Sequence, residues 1–263
     1  MRHTASADGT AIAYEHSGSG PALVFVVGAF NDRHSFGALA DLLAKDFTVH
    51  TYDRRGRGNS SDTAPYAVQR EVEDLAAVIE AAGGSAGVFG HSSGAILGLE
   101  AALAGLPITR LAVYGPPYIV GTDRARPTGL AGEVAEALAA GRPGDAAAAF
   151  MAQAVEMPAE AIAGMRRSPA WPALEAMAPT LPYDLAVCGD QQVPERLAAI
   201  TVPTLALTGA DSPVWARNSV DAVAAMIPGG RSRTVAGSHQ VSEAALVPAL
   251  TEFLLAADPV ATR

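Results

Sequence analysis

Short aliphatic or β-branched runs alternate along this chain with Ala- and Leu-rich stretches of helical period, and that alternation limits the architectures open to it. The strand-like runs are AIAYEHSG, ALVFVVG, FTVHTYD, AGVFGH, ITRLAVYG, PTLALTG and RSRTVAG. Between them lie SFGALADLLAKDF, QREVEDLAAVIEAAGG, GAILGLEAALAGL, SVDAVAAMI and SEAALVPALTEFLLAA, each with apolar residues three and four apart. Strand followed by helix, repeated, is the pattern of βα units around a mostly parallel central sheet flanked by helices. In such sheets ligands bind beyond the carboxyl ends of the strands, so candidate chemistry belongs at those ends. From about Pro116 to Thr201 the alternation stops and the chain turns rich in Ala, Pro and Met, with helical segments such as LAGEVAEALAA and GDAAAAFMAQAV. The expected organisation is a core of residues 1–116 and 201–263 carrying a helical cap insertion at 117–200.

One strand end carries an unusual turn. Residues Val88 to Gly94 read VFGHSSG and lead directly into a helix-like run. Gly90-x-Ser92-x-Gly94 between a strand and a helix has the form of a nucleophile elbow. Of the two adjacent serines only Ser92 has glycine two residues away on both sides, and side chains at 90 and 94 would obstruct so sharp a turn. Small residues also serve tight packing of a strand against a helix, so the turn gains meaning from its company. His239, in VAGSHQV after the last strand-like run, lies in a loop from which an imidazole can reach the elbow. A serine hydroxyl needs an adjacent base to become a nucleophile, and histidine titrates in the right range.

Tyr52 to Ser61, YDRRGRGNSS, is similar to the D-x-R-G-x-G-x-S segment of the α/β-hydrolase superfamily, matched at Asp53, Arg55, Gly56, Gly58 and Ser60. With the elbow and the late histidine in the same order, the chain resembles that superfamily over nearly all of its length outside the insertion. The resemblance implies an α/β-hydrolase fold and a catalytic triad of Ser92, His239 and a carboxylate. Its members commonly place the acid after the penultimate strand, a stretch that reads Gly209-Ala210-Asp211-Ser212-Pro213 here. Ser212 occupies the expected place and Asp211 stands one residue early, so Asp211 is the first candidate. Asp123 is the second, and Asp184 and Asp190 lie further afield. The resemblance also implies an oxyanion hole from the N–H groups of Ala29 and Ser93, with Phe30 and Asn31 bordering the pocket. Trp171 and Met177, with Met165 and Tyr183, either face the ligand from the cap or fill the cap's own core.

Composition narrows the partners. A formal net charge of −9 leaves no basic footprint for nucleic acid or anionic lipid. The longest apolar runs fall far short of the ~18 residues of a membrane span. A single cysteine permits no internal disulfide, and the first residues hold no apolar leader, so a cytoplasmic location and a small-molecule substrate are expected. No residue cluster has metal-ligand spacing and the glycines at 56 and 58 form no dinucleotide fingerprint, so neither metal nor cofactor is expected. The clustered Asp53, Arg54, Arg55 and Arg57 are read as structural ion pairs rather than a phosphate site. The expected activity is hydrolysis of an ester-like acyl bond of a small hydrophobic substrate by a carboxylesterase-like serine hydrolase. C–C bond hydrolysis, thioester hydrolysis and a catalytically silent ligand-binding protein are the alternatives, and oligomeric state is not legible.

Overall fold

The structure, a computed structural model, describes residues 1–122, 124–240 and 242–257. Eight strands form one sheet: β1 (Arg2–Ala5), β2 (Ala11–Gly18), β3 (Ala22–Val26), β4 (Thr48–Tyr52), β5 (Ala86–His91), β6 (Ile108–Tyr114), β7 (Thr204–Gly209) and β8 (Arg231–Val235). Their spatial order is β1-β2-β4-β3-β5-β6-β7-β8. The β1–β2 and β2–β4 pairs are antiparallel, and every pair from β4–β3 to β7–β8 is parallel. The parallel strands therefore end along one edge, which gathers the loops that follow β3, β5, β6, β7 and β8.

Successive strand residues point to opposite faces, and both faces here are covered. Val24, Val88, Leu111 and Val113 pack on one side with α2 (Val68–Ala81), α3 (Ser93–Leu103) and α9 (Val214–Met226). Their neighbours Phe25, Phe89, Ala112 and Tyr114 pack on the other side with α1 (Gly37–Leu43) and α10 (Glu243–Leu254). Burial on both faces explains why these strands read as continuous apolar runs. β1 does not: it is a short edge strand, largely exposed, paired to β2 by backbone bonds from Arg2↔Tyr14 to Ala5↔Ala11. No side-chain pattern announces such an element. α9 starts at Val214, just after Pro213 and ahead of the apolar run at 219–227, since Arg217 and Asn218 hide its first turns from the apolar period.

Between β6 and β7 the described residues form five α-helices, α4 (Leu130–Ala139), α5 (Pro143–Gln153), α6 (Ala159–Arg166), α7 (Trp171–Met177) and α8 (Leu181–Cys188), with short 3-10 turns at Ala178–Thr180 and Glu195–Ala199. They have an apolar cluster of their own, built on Leu130, Val134, Phe150, Met151, Ile162, Trp171 and Leu181. Alanines at 146, 147 and 178 are wholly buried within it, so the alanine richness serves close helix packing. Ala29 and Phe30, from the loop after β3, pack against the same cluster and join this insert to the sheet edge. Among the described residues no helix is long and apolar enough to cross a membrane.

Candidate active site

β5 is buried throughout and delivers His91 and Ser92 to the sheet edge. Ser92 has φ 56° and ψ −123°, a backbone conformation that L side chains rarely adopt. The turn is pinned by the Ser92 N–H, which donates to the Tyr114 carbonyl at 2.9 Å, and by the Ala95 N–H, which donates back to the Ser92 carbonyl at 2.9 Å. The flanking glycines are sterically required. A Cβ on Gly90 would lie 2.8 Å from Ala95 Cα, and one on Gly94 would overlap the Val26 and Val27 carbonyls. Ser93 begins α3, so its N–H has no acceptor within the helix.

Ser92, Ser93, Ala29, Phe30, Asn31, His91 and His239 all line one cavity of about 630 Å³ between the sheet edge and the insert. The Phe30 ring meets Phe150 edge-on, 5.6 Å between centroids. Asn31 Nδ2 donates to the Ala29 carbonyl at 2.7 Å. Most of the remaining wall is apolar, from Phe36, Leu130, Met151, Met165 and Leu174 among others. Glu243 is the one carboxylate among the described lining residues, and none of them is a lysine or arginine. Of the two places open to Trp171 and Met177, the pocket wall and the cap's own core, neither residue takes the pocket wall. Trp171 is buried in the insert's own cluster with the Arg166 guanidinium over its ring, and Leu174 and Met165 supply the wall there instead.

His239 sits in the loop after β8 with its Nδ1 edge against the end of β6. A Cβ on Gly115 would stand 2.7 Å from that nitrogen, so only glycine leaves room for the ring. Burial, with no charged neighbour contributing, lowers the His239 pKa from its ordinary value, which favours the neutral imidazole. The loop is held through its backbone. Tyr114 Oη donates to the Ser238 carbonyl at 2.6 Å, and His91 Nε2 lies 3.2 Å from the His239 carbonyl. Burial and then the neighbouring His239 push His91 down to about 3, so it stays neutral and Nε2–H can act as that donor. His91 is itself a wall residue, its ring 5.0 Å from that of His239.

Among the described residues, no hydrogen bond or ion pair joins the His239 ring to an acid. Asp211, the expected partner, is exposed; its N–H donates to the Gly237 carbonyl at 2.8 Å, and that bond fixes the turn while the carboxylate stays in solvent. Ser212 is the residue turned inward, 2 % exposed, with a hydroxyl that has no partner. Asp190 accepts from Gln192 in an exposed turn, and Asp123 lies outside the described residues. Asp184 is buried but bound elsewhere, to Arg54, Arg57 and Ser93.

The arginine cluster is paired throughout. Asp53 takes the Arg33 and Asn59 N–H groups, at 2.9 and 2.8 Å, and the Arg33 guanidinium. Arg55 holds Asp74 through two bonds of 2.7 Å.

Sheet order, strained elbow and a histidine from the loop after the last strand define an α/β-hydrolase class of protein. The chain belongs to the alpha/beta hydrolase family, whose family model matches residues 23–248. It is similar to the crystal structure of an alpha/beta hydrolase from Sphaerobacter thermophilus DSM 20745, at 50% identity and TM-score 0.92 over 96% of this chain and 99% of that one. A hydrolase from Pseudomonas aeruginosa PA01 is 28% identical with TM-score 0.77, covering 97% and 98% of the two chains. The uncharacterized hydrolase YraK of Bacillus subtilis (strain 168) is 37% identical over 101 residues, 37% of each chain, so this match spans little more than a third of that curated relative.

Proposed function

We propose that this chain is a serine hydrolase that cleaves a carboxylic ester or similar acyl bond of a small, uncharged, hydrophobic substrate through an acyl-enzyme. The observation that carries the reading is Ser92, held at φ 56° on the wall of a cavity that it shares with His239. In this scheme Ser92 Oγ attacks the carbonyl carbon while the neutral His239 takes its proton. The N–H groups of Ala29 and Ser93 receive the oxyanion, each such donor worth roughly 3 kcal/mol in the transition state. His239 then protonates the leaving alkoxide. Water, deprotonated by the same imidazole, releases the acid and restores the serine.

Asp211 has no part in this scheme. The catalytic pair is Ser92 and His239, with the histidine loop steadied by Tyr114 and His91. The insert, 117–200, serves as the cap that closes the cavity. Its volume suits a small molecule, and a wall of Phe, Leu and Met without a cation suits a neutral acyl chain. The hydrolase neighbours at 50% and 28% identity support hydrolysis in general terms.

Ser92→Ala tests the scheme. Hydrolysis of p-nitrophenyl butyrate and labelling by a fluorophosphonate should both vanish while the circular dichroism spectrum is kept. Turnover that survives the substitution would sink it. No labelling of the native chain at all would favour the second reading, a ligand-binding protein, which is worth keeping because no acid among the described residues pairs with His239.

A further inference from the structure

Behind the elbow, outside the cavity wall, lies a buried cluster that the reaction scheme leaves unused. Arg54, Arg57, Glu71 and Asp184 are each at most 2 % exposed. Asp184, from α8 of the insert, accepts from Arg57 Nη2 at 2.6 Å, from Arg54 Nη1 at 2.7 Å and from the Ser93 hydroxyl at 2.6 Å. Arg54 is held from its other side by Glu71, so two cations face two anions. The second Arg57 nitrogen, Nη1, donates to the Gly28 carbonyl at 2.6 Å and to the Asn31 carbonyl at 3.3 Å.

Gly28 C=O and Ala29 N–H belong to one planar trans peptide, in which the two bonds point in opposite directions and their dipoles add. A guanidinium fixed on the oxygen therefore sets the direction of the N–H on the far side. A charge-assisted bond also draws electron density towards that oxygen and makes the N–H a stronger donor. Asp184 fixes the second N–H too, by tethering the side chain of Ser93. Its ionised form survives because Arg57, Arg54 and the Ser93 hydroxyl outweigh the burial that would otherwise raise its pKa. Buried ion pairs are weak devices for stability alone, whereas this one ends on the Gly28–Ala29 peptide and on the Ser93 side chain, beside the two N–H groups that would bind an oxyanion.

We propose that Arg57 and Asp184 are positioning residues that aim and polarise the Ala29 and Ser93 N–H groups from behind. The insert would then complete the oxyanion hole as well as cover the cavity. The proposal rests on the serine-hydrolase reading above.

The test compares Asp184→Asn, Arg57→Lys, Arg57→Met, Ser93→Ala and Ser93→Thr with the native chain. The readouts are kcat and KM for p-nitrophenyl butyrate and the inhibition constant of a trifluoromethyl ketone, which adds to a serine as an oxyanion. Asp184→Asn, Arg57→Met and Ser93→Ala should lower kcat, by about tenfold for the first two, with KM within about twofold. Inhibition by the ketone should weaken by the same factor as kcat/KM. Arg57→Lys and Ser93→Thr, which retain a donor, should recover part of the loss. The proposal is overturned if folded variants keep kcat within about twofold of native, or if KM alone changes. Should the charge variants fail to fold, Ser93→Ala decides, since it removes one hydroxyl tether and no charge. Absence of Ser92-dependent turnover in the native chain would instead refute the underlying reading, so the two failures are distinguishable.

Discussion

Ser92 holds a φ of 56° that a glycine would adopt without strain, and a non-glycine residue in such a conformation costs of order 1–3 kcal/mol. Replacing it separates backbone from chemistry. Ser92→Gly and Ser92→Ala should both be inactive, but the glycine variant should be more stable than the alanine variant by about 1 kcal/mol. Urea titration of the two checks this, and equal midpoints would mean the turn is unstrained. His239 makes a second test. Since burial lowers its pKa from the ordinary 6.5, the base stays neutral further into acid, and the acidic limb of kcat/KM should fall below that pH. Ser212→Asp would put a carboxylate at the place where the superfamily keeps its acid. It should stabilise the imidazolium, raise the midpoint of that limb and increase kcat/KM about tenfold or more. An unchanged pH profile would show that position 212 does not reach the ring. The glycine spacing made Ser92 legible in the sequence, and loop position made His239 legible. The fate of Asp211 was not, because one backbone bond to Gly237 decides which of two neighbouring residues faces inward.

At the scale of elements, legibility followed burial. β5 and β7 are buried along their whole length and are continuous apolar runs. β1 has no apolar face to show and owes its place to backbone pairing with β2. The insert falls between: α4 and α5 follow helical period in the sequence, whereas the short α6, α7 and α8 are separated by prolines and polar turns that break it. The central strands should accordingly be the most sensitive to truncation. Leu111 on β6 is fully buried between α3 and β7. Leu111→Ala should lower stability by about 2–5 kcal/mol, seen as a lower urea midpoint with an unchanged m-value. A loss below about 1 kcal/mol would mean that the core closes around the cavity.

The molecule as a whole carries a net charge of −9 and holds a mostly apolar cavity with no lysine or arginine among its described lining residues. Both oppose an anionic substrate, but salt separates them, because it screens distant surface charges far more than a buried site. Uncharged butyrate esters should exceed the half-esters of dicarboxylic acids in kcat/KM by about tenfold or more, since nothing in the wall offsets desolvation of the second carboxylate. That ratio should persist at high ionic strength, and its collapse on adding salt would assign the preference to overall charge. The same cavity gives the chain's one thiol a particular use. Cys188 ends α8, four residues beyond Asp184, and forms part of the cavity wall. Burial, and after it the nearby Asp184, push its pKa up to about 12, and the thiolate is the form that reacts with alkylating reagents. Alkylation is therefore slow near neutral pH, and because this partly exposed thiol stands on the cavity wall, a bound inhibitor should shield it, so its rate reports occupancy of the cavity from the native chain with no introduced label.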